Sequence, residues 1–248
     1  MSARLIFVTL GLVASTITQT SMVRADEIKV FTAKAIATVL EQVGPDFQRA
    51  TGHRLNVVSG FGPDFVGRIN AGESFDVVVS APALVDGLIR SGKLDANSRT
   101  NLVRASTGVA VRAGVPKPDV RSVEAFKRAL IEAKSIGYLR IAGVPQLIER
   151  LGIANEIKSK VTIPDTDIVS ELVAKGELQL GVVIVAQILT TPGVELAGPL
   201  PSEIQIFIPF VAALSANSAA PDGARALIGF LRSPGAAQVI RSQGMDPT

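Results

Sequence analysis

Few side chains in this sequence of 248 residues could carry covalent, metal or acid–base chemistry. The chain contains no cysteine and no tryptophan, one histidine, His53, and one tyrosine, Tyr138. The lack of cysteine excludes a disulfide scaffold, a thiol nucleophile and a cysteine-ligated metal site. A Ser-His-Asp arrangement would depend on His53 alone, and this residue follows Thr51 and Gly52 at a predicted turn, where we expect a surface position. We therefore expect no catalytic residue, no metal site and no cofactor.

Four polar side chains stand where predicted strands give way to loops: Lys34, Ser59, Ser80 and Arg140. A lysine at the start of a helix opposes the helix dipole, so Lys34 needs a reason other than helix stability. Arg140 could bind a carboxylate through two parallel hydrogen bonds. The alternatives are ordinary surface positions for both cations, and capping of the following helices for the two serines.

Three further features have both a structural and a functional interpretation. Phe61, between Gly60 and Gly62, could cover a binding cleft or pack into the core. The Gly60-x-Gly62 pattern lacks the third glycine of a dinucleotide fingerprint. Asp165 and Asp167 precede a predicted helix, which favours a turn and an N-cap over an acid–base pair. We expect Tyr138 to pack as a half-buried residue rather than to contact a ligand, because its neighbours are apolar.

The first 25 residues predict an export signal. Arg4 is followed by ten apolar residues, 5–14, and a small-x-small cleavage site ends at Ala25. Ten apolar residues are too few to cross a bilayer. We therefore expect a mature, periplasmic chain that begins at Asp26.

Removal of this leader lowers the formal net charge from +3 to +1, because the leader contains two arginines and no acidic residue. The remaining basic residues form no stripe interleaved with aromatic side chains. This argues against nucleic acid as a partner.

Short apolar runs alternate with segments of helical periodicity along the mature chain, which predicts an α/β fold with parallel sheets. Gly44-Pro45 is expected to bend or break the first helix, and Ser122 to cap a later one. Ligands in such folds bind beyond the carboxyl ends of the strands. The predicted strands are 28–31, 54–58, 75–80, 109–112, 136–139, 181–185 and 204–214, and the predicted helices are 35–51, 65–71, 82–91, 122–133, 145–151, 168–175, 220–232 and 233–243.

The order and spacing of seven stretches resemble the periplasmic molybdate-binding protein family, whose members are solute receptors of ABC importers. The most specific are INAGESFDVVVS, residues 69–80, and the segment from FLRSP to GMDP, residues 230–247. The full set is IKVFTAKAIATVL, NVVSGFGPDFVGRINAGESFDVVVSA, VEAFKRALIEAKSIGY, LIERLGI, ELVAKGELQLGVV, PGVELAGPLPSEIQ and GFLRSPGAAQVIRSQGMDP.

The resemblance implies a two-lobed periplasmic binding fold with two hinge-crossing segments. Residues 26–106 and 207–248 would form lobe 1, and residues 107–206 lobe 2. A ligand would lie between the lobes and be trapped by hinge closure. The ligand-binding residues expected on this basis are Ala33, Lys34, Ala35, Ser59, Gly60, Phe61, Gly62, Ser80, Arg140 and Thr166.

The sequence departs from this family at several ligand positions. The family's serine after the first strand corresponds to Ala35, its serine-rich second loop to Gly60–Asp64, and its second-lobe tyrosine to Ile184. The loop 139–145 is short and mostly apolar, whereas many relatives carry a polar loop there. With fewer hydroxyl donors and two cations, the site suits a small carboxylate at least as well as an oxometallate.

We therefore expect a monomeric periplasmic solute-binding protein that captures a small anion, a molybdate-like oxyanion or a small carboxylate, for an ABC permease in the inner membrane. One alternative is a periplasmic enzyme that acts on a tricarboxylate, as aconitate isomerase does, since that enzyme resembles the same receptor family. The further alternative is a diverged relative that does not serve transport.

Overall fold

The computed structural model describes residues 25–60, 62–139, 143–166 and 168–248. The predicted leader, apart from Ala25, lies outside the described residues. The strands are β1 (Glu27–Ala33), β2 (Arg54–Gly60), β3 (Val77–Ser80), β4 (Thr100–Arg112), β5 (Ile136–Tyr138), β6 (Val161–Thr162), β7 (Leu180–Ile184), β8 (Val194–Pro199), β9 (Phe207–Leu214) and β10 (Met245–Pro247). The helices are α1 (Lys34–Thr51), α2 (Gly62–Asn70), α3 (Pro82–Arg90), α4 (Val123–Glu132), α5 (Val144–Arg150), α6 (Ala154–Ile157), α7 (Val169–Ala174), α8 (Val185–Thr190), α9 (Pro221–Leu231) and α10 (Pro234–Ser242).

The strands form two half-sheets that share β4. In the first lobe β1 pairs in parallel with β2 and β3, and β9, β4 and β10 complete the sheet with antiparallel pairings. In the second lobe β5 pairs in parallel with β6 and β7, while β7 and β8 run antiparallel to β4. The expected parallel sheets are therefore only partly right, because the strands that connect the lobes run antiparallel to their neighbours.

Strand β4 passes from one lobe to the other. Its residues 100–106 pair with β9, and residues 107–112 pair with β7 and β8. The sequence pattern indicated only the last four of these 13 residues, because the continuously apolar and buried run 109–111 lies there, directly before the exposed Arg112. The first half alternates between exposed positions such as Arg104 and buried ones such as Val103.

Gln205 joins the two segments that cross between the lobes. Its side-chain Oε1 accepts hydrogen bonds from the backbone N–H groups of Thr107, at 3.0 Å, and Ile206, at 2.9 Å, and its Nε2 donates to the carbonyl of Leu200 at 3.2 Å. The N–H of Leu200 in turn donates to the carbonyl of Thr107. This network ties the strand that leaves the first lobe to the segment that returns to it.

Helix α1 continues through Pro45, contrary to the expected break. Proline removes the hydrogen bond to the carbonyl four residues earlier, here that of Glu41. Both Pro45 and Glu41 lie on the exposed side of the helix, where water can satisfy that carbonyl. The buried side, with Val43 and Phe47 fully packed, keeps the helix on the sheet.

The buried carboxylate of Asp76 joins three elements of the first lobe beneath β3. Asp76 is 6% exposed, and its Oδ2 accepts the N–H of Lys29 in β1 at 2.9 Å. Its Oδ1 accepts the hydroxyl of Ser218 at 2.7 Å and the N–H of Ala220, the residue before α9, at 3.3 Å. The carboxylate therefore holds the start of α9 against the central strands.

His53 is buried, which corrects the expected surface position. It is 5% exposed, its ring stacks on Phe47, and its Nδ1 accepts the backbone N–H of Asp26 at 3.1 Å. Tyr138 is also buried, at 6% exposure. Ser122 accepts the N–H of Ala125 and so caps α4, as predicted.

Replacing Glu73 with glutamine is expected to destabilise the protein at neutral pH but not in strong acid. Hydrogen bonds from Arg68, then from Lys29 at 2.7 Å, lower the pKa of the Glu73 carboxyl to about 2. A lowered carboxyl pKa adds stability above the normal value near 4.5, and this contribution is lost as the pH falls towards about 2. Thermal unfolding followed by circular dichroism should show a deficit for E73Q that shrinks over this range. The exposed Glu156→Gln serves as the control, and a deficit that does not change with pH would contradict the assignment.

Candidate functional site

The carboxyl ends of the first-lobe strands bring several of the predicted site residues to one edge. In the pairing of β1 with β2, Thr32 lies opposite Ser59, and Ala33 lies opposite Gly60. In the pairing of β1 with β3, Thr32 lies opposite Val79. Ser80 is the next and last residue of β3, so this strand ends at the same edge as β1. Loops that follow parallel strands at such an edge are the usual ligand site of an α/β fold.

Few hydroxyl groups at this edge are available to a ligand. Thr32 is fully buried and its Oγ1 donates to the carbonyl of Val79 at 3.0 Å. Ser59 is exposed, whereas Ser80 is 4% exposed. Ala33 and Ala35 offer only backbone groups.

Three helices follow these strands: α2 has Asp64 in its first turn, whereas α1 and α3 begin without side-chain caps. The residues before α1 and α3 are Ala33 and Ala81, and neither helix has an acidic residue in its first turn. By contrast, Ser122 and Ser233 cap α4 and α10 with their hydroxyl groups. The first N–H groups of α1 and α3 therefore face the strand ends without a side-chain acceptor, which leaves partial positive charge there.

The second lobe contributes a mostly apolar wall. Ile184, which ends β7, packs against the core of the first lobe, as does Ala33. Its register partner Thr107 is fully buried, and Thr107 Oγ1 has no hydrogen-bond partner among the described residues. A Cβ atom added at Gly143, before α5, would lie 3.6 Å from the side chain of Ile206 in the returning segment. Thr166 is exposed in the loop before α7.

Lys34 reaches across to the second lobe. Its Nζ lies 3.2 Å from Oε1 of Glu171, in the first turn of α7. The two side chains are 49% and 41% exposed. This contact places Lys34 at the opening between the lobes, and Glu171 is a cleft residue that the sequence patterns did not indicate, because its glutamate occupies an ordinary position for a helix start.

The predicted ligand set stays a prediction. Ala33, Lys34, Ala35, Ser59, Gly60, Gly62 and Ser80 gather at the edge of the first lobe, and Thr166 lies on the second. Phe61, Arg140 and Asp167 lie outside the described residues. Gly62 has a packing reason of its own, because a Cβ atom there would come within 2.6 Å of Leu84.

Within the residues that the structure describes, no three His, Asp or Glu side chains are close enough together to hold a metal ion. Over the same residues, no helix has the length and apolar character needed to cross a membrane.

Known proteins with similar sequences include an enzyme and a receptor. The chain is 30% identical over 251 residues to the aconitate isomerase of a Pseudomonas species, with 96% of each chain covered. It is 26% identical over 237 residues to the molybdate-binding protein ModA of Azotobacter vinelandii, with 89% of this chain and 90% of the relative covered.

Solved structures share the two-lobed architecture, which confirms the predicted fold. The sulfate-binding protein SubI of Mycobacterium tuberculosis H37Rv aligns with a TM-score of 0.73 at 16% identity, covering 90% of this chain and 87% of that one. At this identity the likeness shows the fold alone. The bacterial extracellular solute-binding protein family matches residues 28–246, and the chain belongs to this family.

Proposed function

We propose that this protein captures a small carboxylate anion between its two lobes and delivers it to the permease of an ABC importer. The observation that carries the proposal is the pair of uncapped helices, α1 and α3, that begin at the strand ends beside Lys34. Helix N-termini bind anions because their first N–H groups lack partners and the helix dipole is positive there.

The available donors favour an organic anion over an oxometallate. A buried tetrahedral dianion needs many donors to replace its hydration, and the hydroxyl of Thr32 is already committed to Val79. Backbone N–H groups and the ammonium of Lys34 are sufficient for carboxylates, which are flat and spread their charge over separate groups. The 30% identity to an enzyme named for aconitate, a tricarboxylate, points to the same ligand class.

The proposal includes an arrangement for capture and a place in the cell. Residues 26–106 and 207–248 form lobe 1 and residues 107–206 form lobe 2, so that the crossings at β4 and near Gln205 act as the hinge. The chain is exported to the periplasm, loses its leader after Ala25 and acts as a monomer.

Calorimetric titration of the chain without its leader tests the proposal. Molybdate, tungstate, sulfate, citrate and cis- and trans-aconitate would each be titrated, with circular dichroism confirming that the protein is folded. We expect heat of binding with at least one carboxylate and weaker or no binding of the oxometallates. A folded protein that binds no anion of this panel contradicts the function.

The isomerase relative supports a second candidate function. Isomerisation of aconitate by movement of a proton between its carbon atoms would require a group that can accept and return that proton. Glu171, beside Lys34, is a carboxylate at the opening of the cleft. Incubation with cis- or trans-aconitate followed by proton NMR tests this candidate: interconversion of the isomers supports an enzyme, and unchanged spectra with measurable binding support a receptor.

A further inference from the structure

One ion pair joins the two lobes across the cleft. Among the ion pairs of the described residues, only that between Lys34 and Glu171 connects residues of different lobes. Nζ and Oε1 are 3.2 Å apart, within hydrogen-bond distance. Lys34 is the first residue of α1, and Glu171 lies in the first turn of α7.

This pair occupies the side chain that an anionic ligand would need. Lys34 is the one cationic side chain next to the uncapped start of α1 among the described residues there, and its position works against the stability of α1. Its partner is the carboxylate of Glu171, which presents the same chemical group as the proposed ligand. Each half-exposed side chain keeps access to solvent, so the pair can exchange with a dissolved carboxylate.

We infer that Glu171 is an internal competitor that determines which ligands the cleft accepts. This inference rests on the proposed function. Glu171 holds Lys34, and a ligand carboxylate must displace it before binding. The exchange favours ligands with several carboxylates, because one carboxylate alone gains little at Lys34 when it replaces another. Once displaced, the Glu171 carboxylate repels other negative groups near the start of α7. The remaining carboxylates of a ligand must therefore lie away from α7.

The test compares Glu171→Gln with Glu177→Gln, a substitution that removes the same charge from an exposed position just after α7. Calorimetry with each carboxylate that the wild type binds should show affinity about two- to fivefold higher for E171Q, the range expected for an exposed ion pair. The gain should be larger for a monocarboxylate such as acetate than for a tricarboxylate. It should also diminish at high salt, since ions screen exposed charges. E177Q should match the wild type.

A double-mutant cycle identifies Lys34 as the partner. In the Lys34→Met background, the E171Q substitution should no longer raise affinity, because the competing pair is already absent. Lys93→Met, at the opposite end of α3 from the cleft, should leave the effect of E171Q intact.

The lobe separation of the empty protein provides a readout that needs no ligand. Because the chain has no cysteine, spin labels can be attached at Glu41→Cys on α1 and Glu149→Cys on α5. E171Q should lengthen or broaden the measured distance distribution, whereas E177Q should not.

The outcomes separate the two proposals. Failure of the wild type to bind any anion overturns the proposed function, and the inference with it. Binding by the wild type with equal or lower affinity in E171Q overturns the inference alone, since the pair would then be a surface contact or a clasp that assists closure.

Discussion

Replacing Ala33 with aspartate is expected to make the protein more stable and at the same time to weaken anion binding by at least about tenfold. Ala33 precedes α1 with extended backbone, φ −70° and ψ 149°, and provides no side-chain cap. Aspartate is among the best residues at this position, where its carboxylate accepts N–H groups of the first turn and adds about 1 kcal/mol. Those are the same N–H groups that the proposed ligand uses, and the new charge repels an anion. Urea unfolding followed by far-ultraviolet circular dichroism gives the stability, and calorimetry with the bound carboxylate gives the affinity.

Ser233→Asp is the matched control for Ala33→Asp. Ser233 already caps α10, and it lies three residues after Phe230, which packs on Phe47 near the far end of α1 from the cleft. The control adds the same charge to the same lobe without touching the strand ends, so its affinity should remain that of the wild type. If Ala33→Asp binds as tightly as the wild type, the start of α1 is not part of the anion site.

Replacing Asp76 with alanine is expected to lower the free energy of unfolding by about 3–4 kcal/mol, the largest effect on stability that we predict. Its carboxylate accepts two backbone N–H groups and one hydroxyl inside the first lobe. Alanine leaves the N–H group of Lys29 without an acceptor, at a cost of about 1–3 kcal/mol. It also removes the Ser218 hydrogen bond and one of the two acceptors of the Ala220 N–H, whose other acceptor is the Ser218 hydroxyl at 3.2 Å. Urea unfolding by circular dichroism measures the loss, since the chain has no tryptophan to report it by fluorescence.

Ser218→Ala measures how much the hydroxyl partner of Asp76 contributes to the stability, apart from the carboxylate itself. It removes one donor to Asp76 and the second acceptor of the Ala220 N–H, but both backbone N–H groups keep their hydrogen bonds to the carboxylate, so a loss of only about 1 kcal/mol is expected. Equal losses for the two variants would show that the backbone N–H groups find other partners.

Local patterns of the sequence were enough to predict most elements of the fold. Helix α4 and its Ser122 cap are specified within a few residues, because apolar spacing and N-capping are local effects. The buried strand β3 and the helix α3 after it are indicated in the same way. Strand β4 was recognised only at its apolar end, since the half that pairs with β9 acquires its strand conformation from neighbours more than 100 residues away.

His53 and Asp76 show why polar residues were harder to interpret. His53 was expected at a surface turn, and the predicted strand 75–80 gave no role to Asp76. Both are buried because distant segments supply their hydrogen bonds: Asp26 for the histidine, and the region before α9 for the aspartate. Burial of a polar side chain depends on partners that no local pattern identifies.

The sequence by itself excluded cysteine chemistry and predicted most of the helices and strands of the two-lobed fold. With no cysteine and a single histidine, it favoured binding over reaction. Only the tertiary structure decided that Lys34 meets Glu171. These residues are 137 positions apart, and their contact depends on how β4 and the segment at Gln205 set the two lobes against each other. Charges of opposite sign on separate lobes become a pair only when the fold brings them within a few ångströms, because water screens their attraction at longer range.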